Sequence, residues 1–85
     1  MNLTTEFFEN RKIKRLRATA GGDAALIILI KLKIEAGRSG RLNGDIEEIA
    51  ERIEEDQDNT FRALFDLLRF GLVDQLPDGR FVVSI

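Results

Sequence analysis

One uninterrupted apolar run, Ala24-Ala25-Leu26-Ile27-Ile28-Leu29-Ile30, constrains this 85-residue chain more than any other feature. A chain this short has room for a single core, and such a run belongs at its centre. The run is far shorter than the about 20 apolar residues that cross a bilayer, so it reads as core and not as a membrane span. Periodicity alone does not separate a buried strand from a buried helix. Length and flanks favour a helix: the segment continues through Lys31, Leu32, Lys33, Ile34 and Glu35 to Ala36, with Asp23 placed as its N-cap and Gly37 as its stop.

Before it, Glu9 to Thr19 reads as a short basic amphipathic helix. Ile13 and Leu16, with Phe8 ahead of them, supply the apolar side, and Ala20-Gly21-Gly22 ends the helix. After the central helix, Arg38 to Gly44 is a loop with room for a two-residue strand at Arg41-Leu42. Asp45 and Glu48 have capping-box spacing ahead of a third helix, in which Ile46, Ile49, Ala50 and Ile53 repeat at helical spacing. Asp56 caps a fourth helix running to Phe70, with Gly71 closing it. Leu72 to Leu76 and Phe81 to Ile85 are β-rich and flank Pro77-Asp78-Gly79-Arg80. Proline presets φ and glycine supplies a positive φ, so this is a strand, a tight turn and a strand.

Composition excludes whole classes of chemistry. There is no Cys and no His, so disulfides, thiolate nucleophiles, zinc sites and the commonest general base are all missing. Tyr and Trp are absent too, leaving six Phe as the aromatics. An enzyme would have to work with carboxylates, lysines and hydroxyls alone, so a non-enzymatic domain without a cofactor is expected. The N-terminal residues lack the basic and apolar regions of a signal peptide, which points to the cytoplasm.

Charge is segregated. Residues 1–42 hold nine Lys/Arg against four acids, a net of +5, while residues 43–85 hold four against eleven, a net of −7. The whole chain is therefore −2, and it can hold a polyanion only through a basic patch drawn from the N-terminal half.

Residues 45–85 thus order as helix, sharp turn, helix and β-hairpin, the pattern of a winged helix-turn-helix. The core positions would be Ile46, Ile49, Ala50 and Ile53 on the first helix and Thr60, Leu64, Leu67 and Phe70 on the second. The whole chain, 1–85, is expected to be one mainly α domain: basic helix, core helix, helix-turn-helix over 45–70 and wing over 72–85. The fold does not fix function, since winged helices read DNA and also serve as dimerisation and docking modules.

The run Glu6-Phe7-Phe8-Glu9-Asn10-Arg11-Lys12-Ile13-Lys14, followed by Gly21-Gly22-Asp23, an apolar helix and Phe70-Gly71-Leu72-Val73, resembles the N-terminal domain of phage replisome organiser proteins. That family is similar to the winged-helix N-terminal domains of DnaD-like primosome proteins. The resemblance covers nearly the whole chain. It implies a domain of a phage or prophage replication initiator that binds double-stranded origin DNA, self-associates and helps to recruit the replicative helicase or its loader. It also implies a further C-terminal region in full-length members.

Each candidate residue has a plain alternative. Arg11, Lys12, Lys14, Arg15 and Arg17 are placed to grip phosphates, or form a solvated face. On the fourth helix, Asn59, Arg62 and Arg69 suit base edges, or are ordinary surface. Arg80 at the wing tip suits a minor groove, or is a turn residue. Asp58 and Asp66 on the fourth helix, and the acidic helix before it, oppose phosphate binding there. Phe61, Phe65 and Leu68 form an extra apolar stripe, which is either core or a face covered by a partner. Glu47, Glu51 and Glu55 are spread along one helix and do not converge on a cation. Gly21-Gly22 lacks the frame of a phosphate loop. Three readings follow: a DNA-binding initiation module, an oligomerisation or docking module, and a small transcriptional regulator that would bind a palindrome as a dimer.

Overall fold

The computed structural model describes Phe7 and residues 9–84. Phe8, expected on the apolar side of the first helix, and Ile85, expected in the second wing strand, lie outside the described residues.

Helix α1 spans Arg11–Ala18, with Asn10 as its N-cap: the Asn10 side-chain oxygen accepts from the Lys12 backbone N–H at 2.8 Å. Glu9, the expected first residue, is helical but lies ahead of that cap. Ile13 and Leu16 are completely buried, and each contributes roughly 1.5–3 kcal/mol of burial free energy. A basic helix anchored in this way is part of the domain.

Two glycines turn α1 into helix α2, Gly22–Ala36. Gly21 sits in the left-handed region at φ 78°. Gly22 is buried against the preceding helix, and a Cβ there would lie 1.8 Å from the Leu16 carbonyl oxygen. Asp23 is therefore not the N-cap that the sequence suggests. The left-handed Gly21 takes that position and offers no side-chain cap. Asp23 falls in the first turn, where its charge still complements the helix dipole, and it approaches Arg17 at 3.9 Å. The apolar run is helical: Ala25, Leu26, Ile28, Leu29 and Leu32 are buried, and Phe7 packs on the same core.

Helix α3, Ile46–Arg52, starts with the expected capping box: Asp45 accepts from the Glu48 N–H at 2.9 Å, and Glu48 accepts from the Asp45 N–H at 3.3 Å. Ile53 caps its end, and the turn beyond holds Glu54 at φ 58°. Asp56 then caps helix α4, Gln57–Arg69, accepting from the Asn59 N–H at 3.1 Å. Thr60, Ala63, Leu64 and Leu67 face the core, and the buried Thr60 hydroxyl donates to the Asp56 carbonyl at 2.9 Å. Phe70 is half-buried at the helix end.

Strands β1 (Val73–Gln75) and β2 (Phe81–Val83) pair antiparallel in the register Val73↔Val83. The suggested strand at Arg41-Leu42 is a single bridge, Arg41 to Val82, flanked by backbone bonds from Leu42 to Phe81 and from Val83 to Gly40. It covers the free edge of β2. β1 starts one residue later than the sequence suggests because Leu72 is still bonded to the helix end, its N–H donating to the Leu67 carbonyl, and β2 ends at Val83. The order of elements is that of a winged helix. Among the described residues, no helix is long and apolar enough to cross a membrane.

The two glycines should respond differently to alanine. Gly22→Ala drives a methyl into a backbone carbonyl and should cost about 3 kcal/mol or more. Gly21→Ala meets no atom within 4 Å and should cost only the left-handed penalty, about 1–2 kcal/mol. Urea unfolding midpoints of the two variants check this order.

Candidate nucleic-acid interface

With Ile13 and Leu16 turned inward, the five basic side chains of α1 have different environments. Arg11, Lys14 and Arg15 are exposed and make no ion pair with any described residue. Arg17 is drawn towards Asp23. Lys12 reaches across the fold, its Nζ donating to the Gly71 carbonyl at 3.1 Å. That bond fastens α1 to the C-terminal end of α4, and it gives Lys12 a structural role that the sequence does not reveal.

On α4 the exposed residues are, in order, Gln57, Asp58, Asn59, Phe61, Arg62, Phe65 and Arg69. Phe61 is 56% exposed and Phe65 61%, so neither is core. Leu68 is half-buried and packs on the core, which splits the apolar stripe: two aromatic rings project and the leucine supports the helix. Arg69 lies 5.4 Å from the centre of the Phe70 ring, a cation–π contact. Asn59 and Arg62 border an open cleft of about 460 Å³ between α4 and the start of α2, shared with Gly21, Ile27, Glu55 and Asp66.

At the wing tip Arg80 is folded onto its own turn. Its guanidinium meets the Asp78 carboxylate at 2.7 and 2.8 Å, and its backbone N–H donates to the same carboxylate at 3.0 Å. The Arg80 side-chain hydrogen bond holds the Asp78 carboxyl below its ordinary range, and the same contact raises Arg80. The tip lies beside the N-terminal end of α4, where Gln57, Gln75, Gly79 and Phe81 border a shallow cleft with the start of α3.

The predicted contacts therefore do not form one patch. Lys12 stands at the C-terminal end of α4 and Arg80 near its N-terminal end, about 20 Å apart along a helix of 13 residues. Arg62 and Arg69 lie between them. The acidic side chains are partly committed: Glu55 pairs with Lys31 at 2.5 Å and Glu35 with Arg52 at 3.5 Å, while Glu47, Glu48 and Glu51 stay exposed on α3.

Sequence reasoning missed two groups. Arg38 and Arg41 are exposed around Gly40, with Arg41 beside the wing strand. The signal was a pair of cations in the Arg38 to Gly44 loop, one of them on the short segment suggested as a strand. Ile27 and Ile34 are 56% and 62% exposed on α2. Their spacing of seven places them on one face, a signal hidden inside an otherwise apolar helix.

Residues 1–84 match the family described as N-terminal phage replisome organiser. No curated protein and no solved structure gave a match.

Because the Asp78 carboxyl is depressed in the folded state, its pairing with Arg80 is present above the ordinary value of 3.8 and is lost as pH falls through the lower, folded value. Arg80→Ala should move the Asp78 titration, followed by carboxyl NMR, up towards the ordinary range, while the backbone N–H of residue 80 keeps part of the depression. An unchanged titration would show that the guanidinium is not held at the turn.

Proposed function

Since the chain belongs to the N-terminal phage replisome organiser family, whose setting is phage DNA replication, we propose that it is a non-enzymatic module by which a cytoplasmic replication initiator holds double-stranded origin DNA. The observation that supports this reading is the anchored helix α1, whose Arg11, Lys14 and Arg15 are exposed and free of ion pairs among the described residues. Cations fixed on a docked helix neutralise phosphates without first giving up a protein partner. Arg62 and Arg69 extend the contact along α4, while Lys12 keeps the two helices together. Arg80 joins only if it exchanges Asp78 for a phosphate. The exposed acids of α3 repel phosphates, so DNA approaches from the side of α1 and α4. Self-association and contact with a replicative helicase or its loader complete the role.

A second reading, an oligomerisation or docking module without direct DNA contact, is favoured by the exposed Ile27, Ile34, Phe61 and Phe65. It predicts a self-associating protein that Ile34→Asp or Phe65→Asp converts to a folded monomer in sedimentation.

The DNA reading is tested by fluorescence anisotropy of a labelled duplex across a salt series. Affinity should fall linearly on a log–log plot, and Arg11→Gln/Lys14→Gln/Arg15→Gln should flatten the slope by about 0.9 for each phosphate that is no longer neutralised. An absence of binding at low salt would transfer the function to the second reading.

A further inference from the structure

Phe61 and Phe65 project from α4 one turn apart, on a helix that needs neither of them for its core. Their exposure demands an occupant. A second copy is a poor one for this pair alone. A fully buried aromatic side chain covers about 150–250 Å², so two half-exposed rings offer a few hundred at most, against the about 800 Å² per partner of a stable interface. The rest of the outward face is charged, with Arg62 and Arg69 beside the rings.

That mixture matches a different partner. Side chains at i and i+4 on a helix stand about 5–6 Å apart at their Cβ atoms, so the two rings are neighbours on the surface of α4. Two exposed rings one turn apart present two π-faces on one helix, and base–aromatic stacking combined with neighbouring cations is how single strands are held without sequence preference. Arg62 and Arg69 make no ion pair among the described residues, and both stand on the same outward face as the rings. Beyond Arg69, the Lys12 contact to Gly71 brings α1 to the end of α4, with Arg15 one turn along α1 from Lys12. Asp58 shares the outward face one turn before Phe61, and Asp66 is half-buried in the cleft that Arg62 also lines, so the excess of positive charge along this route comes from the end of α1.

We infer that the Phe61/Phe65 pair is a stacking site for the unpaired bases of single-stranded DNA, with Arg62, Arg69 and the end of α1 holding the adjoining phosphates. The inference rests on the DNA-binding reading above and specifies a second form of the nucleic acid. Because every base has a π-face, the site discriminates between unpaired and paired bases and not between sequences. Leu68 beneath the rings is a positioning residue, since its packing on the core sets the helix face that carries them.

The test compares three fluorescein-labelled probes with the intact chain: a mixed-sequence 20-nucleotide single strand, the same strand with consecutive central abasic sites, and the corresponding duplex. The abasic strand keeps every phosphate and loses only the bases. Wild type should bind the normal strand about tenfold or more tighter than the abasic one. Phe61→Leu/Phe65→Leu should bind the two strands alike while retaining duplex affinity and an unchanged urea midpoint. The abasic comparison in wild type needs no variant, so it stands even if the substitutions unfold the domain. Equal binding of normal and abasic strands by wild type overturns the stacking site and leaves the duplex reading intact. A double variant that still distinguishes the strands overturns the assignment to Phe61 and Phe65. Dissociation of a wild-type oligomer by the same substitutions assigns the rings to a second copy and overturns it too. Failure to bind all three probes at low salt overturns the DNA reading itself, and the stacking site with it.

Discussion

The close passage of α1 over the start of α2 is the constraint on which the rest depends. The Leu16 carbonyl occupies space that any Cβ at position 22 would claim, and Gly21 takes the left-handed conformation that starts the next helix at once. With the two helices this near, Ile13 and Leu16 reach the core formed by Leu29 and Leu32, and the basic segment becomes a fixed wall of the domain. A side chain at Gly22 would lift α1 away and leave five cations on a tethered peptide. Their ordering cost would then fall on DNA binding and not on folding.

The same docking explains how the outer face of α4 is held. One end of that helix is capped by Asp56, and the other runs into the Gly71 turn, whose carbonyl receives the Lys12 ammonium. A cation at a helix C-terminal turn complements the dipole as well as the carbonyl. Lys12 therefore joins the N-terminal half to the helix-turn-helix. Its basic neighbours on α1 are free to do what it no longer does. A cluster of five cations read as one patch becomes three exposed groups, one loose ion pair and one structural bond.

Much of the fold was legible because its punctuation is local. Asp45 with Glu48, Asp56, Gly71 and Pro77-Asp78-Gly79 each act on backbone within a few residues, so the caps and the hairpin could be placed from the sequence. The start of α2 was misplaced because Asp23 is a good cap residue, while the decisive contact, Gly22 on Leu16, is tertiary. The turn after α3 holds Glu54 in a conformation for which glycine is the usual signal, and only the following Asp56 marked it. The candidate site was less legible for the same reason. Arg80 could be placed at the wing tip, but its engagement with Asp78 needed the turn geometry. Whether Phe61 and Phe65 were core depended on which face of α4 met α2, and periodicity alone left both faces apolar.

An acidic chain can still offer a polyanion an approach if its charges are sorted in space. Here Glu47, Glu48 and Glu51 stand exposed on α3, while Arg11, Lys14 and Arg15 stand on α1 and Arg62 and Arg69 stand with Asp58 along α4. The ion pairs between α2 and its neighbours, Lys31 with Glu55 and Arg52 with Glu35, consume charge where helices meet and leave the outer surfaces to set the field. At physiological salt a field from exposed charges decays over about 8 Å, so a phosphate near α1 responds to Arg11, Lys14 and Arg15 far more than to distant glutamates. Net charge therefore says little about this domain, and the position of three arginines and lysines on a docked helix says much more.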